Sequence, residues 1–163
     1  MRNHIQDVIN LDVFDENGKL VTQIKTMQRG ALHYKNTGGR THLIVDDALF
    51  NIQMLEKIGN KVEDNSLSDF DKASSDYKEE IIIRFKKTFN RPLFKLVGRG
   101  RIYDADTAEV SHDFTIIMPC VELIEGYSFE LEANNPFIPN YVFQLNPYNE
   151  EDDIFELRLK ERK

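Results

Sequence analysis

Apolar and polar residues alternate along most of this chain, the signature of strands with one dry and one wet face. In VINLDVF, Leu11 and Val13 alternate with Asn10 and Asp12. The segment runs through DENGK into LVTQIKTM, and its Asn17-Gly18 predicts a hairpin with a type I′ turn, whose two central positions need positive φ. ALHY and THLIV read as short strands around KNTGGR, whose paired glycines predict a turn. Further strands are predicted in EIIIRFKKTF, LFKLVGRGRIYD, VSHDFTIIMP, YVFQL and the pair CVELIEG and YSFELEA. After an acidic turn, NEEDD, the last strand alternates Ile154, Glu156, Arg158 and Lys160 against Phe155, Leu157 and Leu159. Roughly eight to ten strands with a single helix predict a mainly β domain, an antiparallel barrel or sandwich.

The helix is expected at about 46–58, DDALFNIQMLEKI, with Asp46 as N-cap and Gly59 as terminator. Its apolar residues fall on two sides at about 100° per residue: Ala48, Ile52 and Leu55 on one, Phe50, Met54 and Ile58 on the other. Residues 60–80, NKVEDNSLSDFDKASSDYKEE, then break all periodicity and carry seven carboxylates against three lysines. Extended loops of this length are usually functional or disordered. Here they read either as a floppy acidic loop or as an arm that orders on a partner, using Asp64, Leu67, Asp69, Phe70, Asp71 and Tyr77.

With 163 residues and no visible linker or repeat, the chain reads as one domain with a sizeable core. A net charge of −7 disfavours a dedicated nucleic-acid binder. No apolar run is long enough for a membrane span, the first twenty residues do not resemble a signal peptide, and one cysteine, Cys120, suits a reducing compartment. His33 and His42 flank the glycine turn, but no zinc spacing accompanies them. Asp104 and Asp106 lack the glycine and glutamate of a calcium loop and read as a turn. Gly98 and Gly100 precede no helix that could hold a phosphate, and no serine sits in a nucleophile elbow. The expectation is a non-enzyme with neither metal nor cofactor.

One charge feature stands apart. From Arg84 to Arg101 the chain holds Arg84, Lys86, Lys87, Arg91, Lys95, Arg99 and Arg101 and no acid. Phe85, Phe89 and Phe94 are interleaved, a pattern that an OB-like module could use to stack single-stranded nucleic acid. In alternating strands the rings would instead face the core and the charges the rim. The acidic 60–80 segment and this cationic stretch could also dock between copies of the chain.

The segment FKLVGRGRIYDADTAEVSHDFTIIMPCVELIEGYSFELEANNPFIPNYVFQL, together with the opening INLDVFDENGKLV, resembles the tail tube (major tail) proteins of long-tailed bacteriophages. About two thirds of the chain takes part in the likeness. It lies in the order of strands and breaks, with no catalytic set to carry over. The resemblance implies a barrel or paired sheets flanked by one helix, with six copies closing into rings that stack as a virion tail tube assembled in the host cytoplasm. Double-stranded DNA would pass through its channel, other tail or baseplate proteins would be partners, and no membrane would be involved. A tube-initiating or baseplate homologue is implied equally well. On this reading the helix side bearing Phe50, Met54 and Ile58 packs a neighbouring subunit, the competing reading being a helix engulfed by its own domain, and the cationic stretch faces protein or is neutralised by carboxylates.

Overall fold

The computed structural model describes residues 10–62, 76, 80–87, 91–130 and 138–163. The six acidic-segment residues named above lie outside them. Two compact units are present, residues 1–50 with 92–163, and residues 51–91.

The first unit is a mainly antiparallel β structure of seven strands: β1 (Asn10–Phe14), β2 (Leu20–Thr37), β3 (Arg40–Ala48), β6 (Leu93–Tyr103), β7 (Val110–Glu130), β8 (Ile138–Leu145) and β9 (Glu156–Glu161). Strands β6-β1-β2-β3-β8-β7 pair in that order, and β7 pairs back to β6, closing a six-stranded barrel. β9 is added to β7 outside that circuit. Closure removes open edges from the barrel wall itself.

The predicted alternation places the core. Leu11 and Val13 of β1, Leu43 and Val45 of β3, Leu96 of β6, Met118, Val121 and Leu123 of β7, and Tyr141 and Phe143 of β8 are all buried. Phe143 packs its ring edge-on against Phe94 and tilted against Tyr141. Each such large side chain contributes roughly 1.5–3 kcal/mol on burial.

Two local expectations need correction. The β1–β2 connection is not a type I′ turn, because Asn17 does not take positive φ. Gly18 donates its N–H to the Asp15 carbonyl at 3.0 Å and alone has φ of 80°. This is a three-residue loop, a type I turn followed by a left-handed glycine. The Asp15 carboxylate selects it by accepting the N–H groups of Asn17 and Lys19, each at 2.9 Å.

The segments VSHDFTIIMP and CVELIEG, with the YSFE of YSFELEA, are likewise one strand, β7, 21 residues long. Proline cannot donate to a ladder, so Pro119 should have broken it. It is tolerated because the β6–β7 register slips between Phe94 and Leu96, so Pro119 and Cys120 fall in a bulge.

The second unit holds α1 (Ile52–Ile58) and a two-stranded ribbon, β4 (Asn60–Lys61) with β5 (Ile83–Arg84). The helix is half the expected length. Residues 46–48 still belong to β3, with Asp46 opposite Ala31 and Ala48 opposite Thr26, so Asp46 cannot cap it. Asn51 caps instead, its side chain accepting the Met54 N–H at 3.0 Å. Seven residues cannot hold two apolar sides. Met54, Leu55 and Ile58 are buried, whereas Gln53 and Lys57 are exposed. EIIIRFKKTF contributes only the short β5. Gly59 lets it approach: a Cβ there would lie 2.5 Å from Ile83 Cγ2. Val62 donates to the Ile82 carbonyl at 2.8 Å, so the ribbon closes the base of the acidic segment.

Core and rim should respond differently to truncation. Leu43→Ala, between Tyr34 and Phe143 in the sheet, is expected to cost about 2–5 kcal/mol in urea denaturation. Leu157→Ala on β9 should stay within about 0.5 kcal/mol. Equal costs would contradict this placement of the core.

Candidate functional site

β7 is long enough to serve two structures in succession. Its residues 121–130 pair with β8 in the barrel wall, while residues 112–117 pair with β9 along the same edge. Its opposite edge holds β6 throughout, from Leu93 opposite Glu122 to Tyr103 opposite Val110. The outer parts of β6, β7 and β9 therefore form a three-stranded flange running on from the barrel. The Pro119 bulge lies where β7 changes partner, between Ile117 and Val121.

Residues directly opposite in a ladder share a face. On one face of the flange, Arg101 stands opposite Asp113, and Asp113 opposite Lys160. One step along, Arg99 stands opposite Thr115, and Thr115 opposite Arg158. With Lys95 and Arg162 these residues line an open groove of about 940 Å³, of which Asp113 is the only lining carboxylate among the described residues.

Three of the groove's arginines are tied down. Arg162 grips Asp113 through two bonds of 3.0 Å, from Nε and Nη2. Arg158 holds Glu156 through bonds of 3.1 and 3.2 Å, and Arg99 reaches Asp12 of β1 at 2.9 Å. Lys95 lies 5.8 Å from the Phe14 ring centre. Arg101 and Lys160 have no carboxylate within ion-pairing distance among the described residues. Six cations thus face three carboxylates. The hydrogen bond from Arg162 holds the Asp113 carboxyl below the usual carboxylate range, aided by the Arg162, Arg101 and Lys160 charges. The same bond raises the Arg162 pKa, and the bond to Glu156 raises that of Arg158.

The other face of the flange is mostly apolar, with His112 opposite Glu161 at its outer end. Leu157 lies opposite Ile116 and Leu159 opposite Phe114, yet they remain 52% and 53% exposed. Ile102 and Phe155 are also exposed, and Phe155 stacks on Tyr34 with ring centres 5.5 Å apart. Tyr34 turns its hydroxyl inward to Met118 Sδ at 2.9 Å, and burial pushes its pKa up. The glycines of GRGR serve this face. A Cβ on Gly98 would press on Leu11 and Ile116, and one on Gly100 would enter the Phe114 ring. They permit close approach of the side chains across the sheet. Among the described strands β9 pairs with β7 alone.

The expected site residues are scattered by this arrangement. Of the cationic stretch, only Lys95, Arg99 and Arg101 reach the groove. Arg84, Lys86, Lys87 and Arg91 belong to the second unit. Arg158, Lys160 and Arg162 were missed as groove members, because only strand pairing brings them beside β6. Their alternation in IFELRLKER was the available signal. Phe94 is 3% exposed and cannot stack a base, Phe85 is in the second unit, and Phe89 lies outside the described residues. Of the expected helix interface, Met54 and Ile58 are buried, whereas Phe50 precedes the helix and is 52% exposed.

The histidines do not converge either. His33 stands opposite Ile44, His42 opposite Lys35, and His33 lies 3.5 Å from Asp46. No group of three possible metal ligands occurs among the described residues. The Asp104 carboxylate accepts the N–H groups of Asp106 and Thr107 and organises its own turn. No described helix is long and apolar enough to cross a membrane. No protein-family model matches the chain, and no curated protein matches it.

The Asp113–Arg162 pair carries a pH dependence with a definite sign. The folded-state pKa of Asp113 is lowered, so its contribution is present above the ordinary carboxylate range and is lost as pH falls through the lowered value. Asp113→Asn should therefore flatten the fall in melting temperature below about pH 4. An unchanged acid limb would show that the pair contributes nothing to folding.

Proposed function

We propose that this chain is a virion structural protein, the subunit of a self-assembling tube of the kind built by tail tube proteins of long-tailed bacteriophages. In this reading it closes into hexameric rings that stack around a channel for DNA. The observation that carries it is the flange edge. Among the described residues, β9 offers a row of backbone N–H and C=O groups that pairs with no further strand, beside exposed Leu157, Leu159 and Phe155. Proteins that stay monomeric blunt such an edge with charge, proline or a cover. Here charges stand on the groove face of β9 and at Glu161, yet Leu157 and Leu159 stay exposed, and pairing with a second copy would satisfy the backbone and bury them together.

The chemistry of the rest of the molecule supports an architectural role. Among its described lining residues the groove gathers six cations around one carboxylate, Asp113, with no histidine, cysteine or serine. An acidic balance suits a conduit, since a wall that held phosphate strongly would retard sliding DNA. The nucleic-acid alternative loses its central ring, because Phe94 is in the core.

Concentrated protein should form rings or hollow tubes in negative-stain micrographs, with matching growth in light scattering. A tube-initiating homologue would instead stop at single rings. Leu157→Asp with Leu159→Asp should leave the circular dichroism unchanged and abolish assembly. Wild-type protein that remains monomeric at every concentration would overturn the proposal.

A further inference from the structure

We infer that the cationic groove on the opposite face of the flange is a docking site for the acidic segment 63–80 of a second copy of this chain. The inference deepens the assembly reading by naming a second contact between copies, and it rests on that reading only for copies meeting at all.

The charges are complementary. The groove presents Lys95, Arg99, Arg101, Arg158, Lys160 and Arg162 against Asp113, Asp12 and Glu156, leaving three positive charges in excess. The molecule as a whole carries −7, so the groove is a positive island on a negative chain. Residues 63–80 hold Glu63, Asp64, Asp69, Asp71, Asp76, Glu79 and Glu80 against two lysines. The acidic segment also comes with every copy of the chain, at the same concentration as the groove.

The groove is also selective in which cations it offers. Three arginines are held in geometry by carboxylates of their own sheet and form a fixed rim. Arg101 and Lys160 flank Asp113 on either side and remain available for an incoming carboxylate. They stand one ladder position either side of β7, roughly 10 Å apart at sheet spacing, a span that two carboxylates two or three residues apart in an extended segment can bridge. Asp69 and Asp71 have such a spacing. A cross-strand pair of cations can therefore meet the Asp69 and Asp71 carboxylates.

Complementation between two full-chain variants tests this directly. Both are made on the Leu157→Asp/Leu159→Asp background, so the edge contact proposed above contributes nothing. One variant adds Arg101→Glu and Lys160→Glu, removing the groove but keeping the segment. The other deletes residues 64–76, keeping the groove. Circular dichroism and urea midpoints establish that both remain folded. Each alone should be monomeric in sedimentation, and the mixture should form a heterodimer that weakens at least about tenfold from low to high salt. A mixture that stays monomeric while both variants are folded overturns the inference and leaves the tube reading intact. So does tight, salt-sensitive binding of a single-stranded oligonucleotide to the deletion variant with no heterodimer, which would assign the groove to nucleic acid. Failure of wild-type protein to form rings sinks the tube reading without touching this test.

Discussion

The β6–β7 ladder is the constraint on which the remaining structure depends. Its inner half completes the barrel circuit, and its outer half is the spine of the flange. A sheet can roll into a closed wall only if its first and last strands meet in register. Here the register is held by Leu96 opposite Met118 and by Phe94 opposite Val121, all four buried. The bulge between those two pairs lets the ladder absorb Pro119. Without it, a strand buried on both sides in a closed wall would contain a residue unable to bond one of them.

Beyond the barrel the same alternation acquires a different meaning. Inside, it separates core from solvent. On the flange, where Leu157 and Leu159 stay exposed, it separates a greasy surface from a charged one. The ion pairs of Arg162 with Asp113 and Arg158 with Glu156 are exposed and contribute little stability individually. Their effect is geometric, because a bidentate guanidinium holds its plane and keeps long side chains from collapsing into the groove.

Much of the fold was legible because alternation is a local signal. β1, the two halves of β2, β3, β6 and β9 follow it closely, as does the antiparallel barrel they imply. What failed was what depends on partners. Asp46 and Asp47 look like a helix start, but the rung between Thr26 and Ala48 keeps the chain extended past them. Pro119 looks like a strand end, and only the slipped register makes it otherwise. Asn17-Gly18 looks like one turn type, and the Asp15 carboxylate chooses another. The groove was half legible for the same reason. Lys95, Arg99 and Arg101 are close in sequence, while Arg158, Lys160 and Arg162 join them only through pairing across about fifty residues, as between Asp113 and Lys160. The exposure of Leu157 and Leu159 was invisible, because alternation says which residues share a face and never whether that face has a cover.

The position of β9 in chain order has a consequence for timing. Every wall strand of the barrel precedes it, and the β6–β7 hairpin is joined by a short loop at 104–109. Of the described strands β9 is therefore the last to be synthesised, and it adds to β7 of a wall whose six strands already stand complete in the chain. None of the rungs that close that wall uses it. Substitutions along β9 can thus accumulate without reopening the barrel, which leaves this margin of the molecule free to diverge while the wall stays fixed.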